Sequence, residues 1–314
     1  MPVMKSIALV FSLSAALGLG ADLRIGIIGT DTSHVIAFAK VLNDPTNKNH
    51  IPGAKIVAAY KGGSKDVESS YTRVDKYAEE LRASWQVEIV NDIPTLCSKV
   101  DAILLESVDG RTHLAQARQA IAAGKPLFID KPLASTLEDA REIARLAKAA
   151  NVKWFSTSSL RYSNAVTDMK TEGARAVTTW GPGPYEEHHY LDFSWYGIHP
   201  VEMLFAIMGR GCEEVTRISG ANADTTTCRW KDGRLGTVNT LRPYGDYGAI
   251  VLKDKASQQS QKVTTDYVPM LREIIKFFQT GVVPVPNEDT MEIFAFLDAA
   301  QKSKEAGGKP VRLR

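Results

Sequence analysis

Asp130, Lys131 and Pro132 end the stretch Lys-Pro-Leu-Phe-Ile-Asp-Lys-Pro-Leu that runs from Lys125 to Leu133. An apolar run of strand length that stops at two charges places them at the carboxyl end of a buried strand, where open α/β sheets bind ligands. Pro132 biases Lys131 toward extended backbone, so the ammonium leaves the sheet in a direction set by the chain. Such a lysine could stabilise a developing oxyanion; on the tripeptide alone, a surface charge beside a helix start accounts for it as well. His199, in Tyr-Gly-Ile-His-Pro-Val-Glu, is of a type that titrates near neutral pH and suits proton transfer. A helix-start histidine among aromatic residues can equally be structural. Glu186, Glu187, His188 and His189 lie upstream and with His199 raise a metal site, but their spacing fits no tight ligand motif and no metal is expected.

The elements that must position these residues follow from periodicity. Leu23 to Ile28 is apolar and closed by Gly29, and Ser33 opens a helical pattern through Val35, Ile36, Phe38, Ala39 and Leu42. Lys55 to Tyr60 predicts a second strand with the exit loop Lys61-Gly-Gly-Ser64, followed by a charged helix over Asp66 to Arg82. Val87 to Val90 predicts a third strand and Asp101 to Leu105 a fourth, ending at Glu106. Thr112 is placed as the cap of the next helix, Gly124 as its stop, and Thr136 with Asp139 as the capping pair of another. Lys153 to Ser156 completes the set. Strands alternating with helices at this spacing imply a doubly wound parallel sheet, with Asp31, Glu106 and Lys131 as neighbours at the switch point.

From Ala174 onward the runs become short and β-rich: Arg175 to Trp180, Glu214 to Ile218, Thr225 to Trp230, Leu235 to Leu241 and Ala249 to Leu252. With helices at Gly197 to Met208, Tyr267 to Thr280 and Glu288 to Glu305, they predict an α+β domain with a mostly antiparallel sheet. The expected organisation is a signal segment over 1–20, a Rossmann-type domain over 21–156 and the α+β domain over 157–314.

Charge narrows the partners. Lys and Arg total 38 against 36 Asp and Glu, a net of +2, with no long run of either sign; nucleic acid is not expected, because phosphate recognition needs a concentrated basic surface. Lys5 precedes an uncharged run from Ser6 to Gly20 that ends in small residues, which predicts a secretory signal cleaved near residue 20 rather than a stable membrane span. The mature chain is expected to be periplasmic or secreted. Three cysteines without metal-type spacing allow at most one disulfide, with Cys212 and Cys228 the expected pair.

Ile25-Gly-Ile-Ile-Gly29, Thr112-His-Leu-Ala-Gln-Ala with Ala122-Ala-Gly-Lys-Pro126, and above all Asp130-Lys-Pro-Leu-Ala134 resemble the Gfo/Idh/MocA family of nicotinamide-dependent sugar oxidoreductases. The similarity runs through residues 22 to 160. It implies NAD or NADP as cofactor, a carbohydrate or polyol substrate, and self-association through the open sheet of the second domain. In that family the lysine of the acidic-Lys-Pro turn reaches nicotinamide and substrate, and the histidine of a Gly-x-His helix start approaches the hydroxyl that is oxidised. The resemblance thus implies catalytic roles for Lys131 and His199. It places the cofactor against Gly26, Gly29, Thr30, Asp31, Thr32, Ser33, His34, Lys61, Ser64, Glu106, Ser107, His113, Asp130 and Lys131. Arg161, Tyr162, Trp195, Tyr196 and His199 fall on the substrate side, Arg161 equally readable as a surface arginine with its stem on Tyr162. Lys61 and Ser64, where an acidic residue would follow the second strand, lean toward NADP.

Two positions depart from the pattern. The fingerprint G-x-G-x-x-G reads Gly29-Thr-Asp31-Thr-Ser-His34, putting a carboxylate where the backbone should approach pyrophosphate, unless Asp31 turns away to cap the following helix. Trp195 stands where the family has an aspartate four residues before the histidine. Both departures support a second expectation: a sugar-binding or regulatory relative, or a lyase that retains its cofactor.

Overall fold

The computed structural model describes residues 21–263 and 265–314. The expected export signal over 1–20 lies outside the described residues. The first half contains β1 (Leu23–Ile28), α1 (Ser33–Leu42), β2 (Ala54–Tyr60), α2 (Glu68–Tyr71), α3 (Val74–Trp85), β3 (Glu88–Val90), α4 (Ile93–Lys99), β4 (Ala102–Leu105), α5 (His113–Ala122), β5 (Leu127–Asp130), α6 (Leu137–Ala149) and β6 (Trp154–Thr157). The six strands are all parallel in the order β3-β2-β1-β4-β5-β6. The order reverses between β1 and β4, so the carboxyl ends of β1, β4 and β5 open on one crevice. Helices cover both faces, which is why these strands are apolar on both sides: Ile27 and Phe128 face one core, and Ile28 and Ile129 the other.

Local chemistry explains where the elements differ from expectation. The single helix expected over Asp66 to Arg82 is broken into α2 and α3. Helix α4 was not anticipated, although Asp92 accepts from the Thr95 amide and Pro94 occupies the first turn, both ordinary start signals. Thr112 does not cap α5; its hydroxyl donates to the Asp109 carbonyl, while the Asp109 carboxylate caps a 3-10 turn over Gly110–Thr112. Thr136 does cap α6, accepting from the Asp139 amide at 3.0 Å.

The second half adds α7 (Asn164–Thr167), β7 (Ala174–Pro182), α8 (Ile198–Met208), β8 (Cys212–Ser219), β9 (Ala223–Trp230), β10 (Leu235–Leu241), β11 (Gly248–Lys253), β12 (Ser257–Gln259), α9 (Val268–Thr280), α10 (Asn287–Glu305) and β13 (Val311–Arg312). Their seven-stranded sheet has the order β12-β11-β7-β10-β9-β8-β13, antiparallel except for the parallel pair β7 and β10. Helices α8 and α10 bury Met203, Leu204, Phe205 and Phe296 in the core beneath it. Helix α9 follows β12 in sequence but packs on the first sheet: Phe277 meets Phe155 edge-on at 5.2 Å. Cys212 and Cys228 form the expected disulfide between β8 and β9, with Cα atoms 5.9 Å apart. Among the described residues no helix is long and apolar enough to cross a membrane.

A buried ionic group fixes the second half. The Arg217 guanidinium bonds Asp224 at 2.9 Å and Asp192 at 3.0 Å, and Arg242 adds a bond to Asp224 at 2.8 Å. Burial alone would raise the Asp224 pKa, but the Arg242 bond and the Arg217 charge outweigh it and hold the carboxyl at about 2. Its folded value lies below the unfolded one, so the stabilisation is present above about pH 4 and is lost as pH falls toward 2. The shift corresponds to about 2 kcal/mol. Urea midpoints compared at pH 5 and pH 2.5 should fall further for the wild type than for Asp224→Asn, whereas parallel falls would count against this coupling.

Candidate active site

The end of β5, the start of α1 and the start of α8 meet around a cavity of about 280 Å³. Ser33 and His34 reach it from α1, Lys131 from the turn after β5, and Trp195, Tyr196 and His199 from the approach to α8. A larger hollow of about 490 Å³ beside Cys212, Arg229 and Arg312 gathers none of the candidate catalytic, cofactor or substrate residues. Chemistry therefore favours the smaller cavity.

Lys131 leaves β5 through a cis bond to Pro132, and its Nζ lies 5.9 Å from the centre of the Tyr196 ring. Burial lowers its pKa, while the charges of Asp130 and Glu106 oppose that change. His199 is held by a hydrogen bond between Nδ1 and the Ser158 hydroxyl, 2.7 Å away, with the rings of Tyr196 and Tyr247 edge-on at 6.1 Å and 5.8 Å. Burial first, and then the Lys131 charge, push its pKa well below 6.5. The imidazole is thus neutral, the form a base needs. Ser158 also accepts from the Leu160 amide at 3.2 Å, which fixes its oxygen where an orienting carboxylate is missing. For Nε2 to accept a proton, Nδ1–H must donate to Ser158.

Of the neighbours expected at the switch point, Glu106 and Lys131 come together but Asp31 does not join them. Its carboxylate turns inward, accepting from the Ser70 hydroxyl at 2.6 Å and the Val108 amide at 3.1 Å, and burial raises its pKa despite these bonds. Nor does it cap α1; Thr32 does, accepting weakly from the His34 amide at 3.4 Å. The place of Asp31 at Glu106 is taken by His34, whose Nδ1 lies 2.8 Å from Asp130 Oδ2 and 3.7 Å from Glu106 Oε2.

Several expected contact residues are committed elsewhere. Gly26 lies within β1, where a Cβ would come 3.0 Å from Val100 and 3.1 Å from Leu96, so it serves the seating of α4. Thr30 is buried and donates to the Val74 carbonyl at 2.8 Å. Lys61 pairs with Asp75 at the surface, and the buried Ser64 hydroxyl donates to Asp109. Ser107 bonds Gln116, and His113 is wholly buried between the carbonyls of Ser107 and Leu133. Arg161 does not line the cavity: mostly buried, it pairs with buried Glu202 at 2.8 Å, while Tyr162 packs into the core beside α9. Replacing Arg161 by alanine strands Glu202, which is 3% exposed, and should cost about 3–5 kcal/mol. Denaturant unfolding checks this; a cost below 1 kcal/mol would contradict it. In the upstream loop His188 pairs with Glu186 at 2.6 Å and His189 lies 3.1 Å from Asp109, away from His199.

Sequence reasoning missed Ser158, Arg73, Tyr247 and Tyr267, all but Ser158 on the cavity wall. The polar run from Ser156 to Ser159 at the end of β6 was the available signal for Ser158; the two tyrosines come from distant loops without local motifs.

The fold and the donors can be tested against a dinucleotide. Gly29 adopts φ +90, and a Cβ there would collide with Ser107, so the surviving glycine of the fingerprint keeps the tight turn before α1. The N-terminus of α1 borders the cavity next to Arg73 and Ser69, whose hydroxyl is buried without a partner. These are donors that suit an anionic group, and the carboxylate of Asp31 is turned away from them. The residues present therefore fit phosphate at this wall.

Comparison with known proteins agrees. Residues 23–158 match the family model described as "Oxidoreductase family, NAD-binding Rossmann fold". Through this stretch the chain is similar to the Gfo/Idh/MocA oxidoreductases. Inositol 2-dehydrogenase of Cereibacter sphaeroides is 34% identical over 124 residues, covering 38% of this chain and 31% of that protein. The Paracoccus denitrificans enzyme of the same name is 33% identical over 144 residues, covering 44% and 37%. The chain thus matches about a third of the length of these curated relatives. Among solved structures, a probable dehydrogenase from Thermotoga maritima superposes with a TM-score of 0.74 at 21% identity, covering 93% of this chain and 99% of that one. GenD2 from gentamicin A biosynthesis, solved with NAD, gives 0.74 at 15% identity over 98% and 100%. At such identities these likenesses establish the fold.

Proposed function

We propose that the chain is an NAD(P)-dependent oxidoreductase acting on a CH–OH group of a sugar, polyol or related carbohydrate. The observation that carries this is the convergence of Lys131 and His199, from the two halves of the chain, on one cavity walled by Trp195, Tyr196 and Tyr247. The cofactor supplies the hydride acceptor or donor. Thr32, Ser33, Ser69 and Arg73 hold its phosphate side, Lys131 holds the substrate oxygen and stabilises its developing negative charge, and His199 Nε2 takes or returns the hydroxyl proton. Aromatic rings offer apolar faces to a sugar ring. The inositol dehydrogenase relatives support a polyol substrate. The Cys212–Cys228 disulfide supports work outside the cytoplasm, and the outer face of the second sheet is the proposed surface of self-association.

Initial rates with NAD+ and NADP+ over a panel of inositols, aldoses and sugar acids, followed by nicotinamide absorbance, test the assignment. Turnover of at least one cyclic polyol or sugar is expected; binding of dinucleotide with no oxidation across the panel would reject it. One observation favours the second reading, a regulatory relative or a lyase that retains its cofactor. The segment after β2 is fastened over the α1 turn by the bonds from Ser70 to Asp31 and from Thr30 to Val74. Such a fastening suits a nucleotide that stays bound. Cofactor that survives gel filtration and is released only on denaturation would favour this alternative.

A further inference from the structure

Beneath the cavity floor lies a group that polyol oxidation does not use. Glu106 follows β4, is 0% exposed, and has no hydrogen-bond partner for either carboxylate oxygen. Burying a carboxylate without partners is costly, and an orphaned buried atom in a native fold points to a missing water, proton or ion. Nδ1 of His34 faces it at 3.7 Å and faces Asp130 Oδ2 at 2.8 Å. The Asp130 contact is out of line for a hydrogen bond, so Nδ1 is also unpartnered. One atom from each of the three residues lies within 4.8 Å of the others.

An imidazole nitrogen with two carboxylate oxygens is a donor set suited to divalent transition metals such as Zn2+, Mn2+, Fe2+ or Co2+. We infer that His34, Glu106 and Asp130 form a binding site for one such cation. Two carboxylates balance the charge of a dication, and its position between Glu106 and His34 would satisfy both orphaned groups. The three ligands leave coordination positions open. His34 lines the cavity, so water or a substrate oxygen could complete the shell from that side. Lys131 is the cation that opposes binding, and a protonated His34 paired with Asp130 is the arrangement that competes with it. The site rests on this geometry, not on the dehydrogenase reading.

The test is titration of the full chain, stripped with chelator and free of dinucleotide, with Co2+ followed by displacement with Zn2+. One saturable equivalent is expected, with a dissociation constant on the order of micromolar or tighter and a visible Co2+ absorption band. Glu106→Gln and His34→Gln should each weaken binding by about 100-fold or more. Cys97→Ser and His188→Ala, which remove the free thiol and the half-buried histidine beside Glu186, should leave it unchanged. Binding that persists in a folded Glu106→Gln variant would overturn the site. Should that variant fail to fold, the wild-type titration decides alone: no saturable equivalent means no site. Because the readout is the metal itself, loss of dehydrogenase activity or of dinucleotide binding would not be mistaken for failure here.

Discussion

Lys131→Ala is expected to lower turnover by about 10²–10³-fold, the typical effect of removing one donor to a developing oxyanion, while changing dinucleotide affinity by less than about 3-fold. The asymmetry follows from position. Lys131 stands at the β5 end, on the wall facing His199 and Tyr196, whereas the donors suited to phosphate lie at the start of α1 and at Arg73. Lys131→Arg should not restore the rate, because a guanidinium is larger, forked and does not match a point charge in a buried position. Calorimetric affinity beside steady-state rates separates the two effects. Undiminished turnover in Lys131→Ala would remove this residue from the reaction, and equal losses in affinity and rate would recast it as a general binding charge.

His199→Ala should lower kcat by about 10²–10⁴-fold, as loss of a general base does. Ser158→Ala, which removes the hydroxyl 2.7 Å from Nδ1, should lower kcat by about 10-fold with little change in KM, because a freed imidazole spends less time in the productive tautomer and orientation. Ser158 is a positioning residue, and Ser158→Thr, which keeps the hydroxyl, should recover most of the loss. The pH profile supplies a readout that a purely structural role would not move. With its pKa pushed well below 6.5 by burial and by Lys131, His199 stays neutral through the neutral range and becomes protonated only on the acid side. Its ionisation should therefore put no break in kcat/KM near 6.5. A break there that disappears in His199→Gln would show the imidazole to be more solvated than its surroundings imply.

The architecture was legible because each element repeats a local rule. Apolar runs closed by glycine or charge gave the strands, β10 being read at Leu235 to Leu241, its observed bounds. The Lys-Pro turn and the Gly-x-His start carried Lys131 and His199 to one cavity. What escaped was decided by side-chain direction and by long-range packing. Asp31 reads as a charge in the phosphate crevice until Ser70, 39 residues later, offers it a partner beneath the surface. Arg161 follows β6 like a ligand-seeking arginine, but the buried carboxylate of Glu202 on α8 claims it. His113 belongs to a helix start near the site yet is consumed by two backbone carbonyls. Helix α9 shows the same limit at larger scale: its apolar face fits either core, and only the tertiary fold places Phe277 against the first sheet. The motif at His34, by contrast, was readable as a deviation, a histidine where the fingerprint has glycine, although its partners Glu106 and Asp130 sit at the ends of two strands far apart in sequence.

In the proposed function the crevice at the ends of β1, β4 and β5 holds a nicotinamide dinucleotide against Lys131 and His199. Titration of NAD+ and NADP+ into the purified, folded protein by calorimetry, paired with nicotinamide fluorescence of the denatured protein to count any cofactor already held, tests it most directly. One dinucleotide per chain, retained or added, is expected, with affinity weakened by about 10-fold in Arg73→Ala. A folded protein that neither carries nor binds either dinucleotide at millimolar concentration would contradict it.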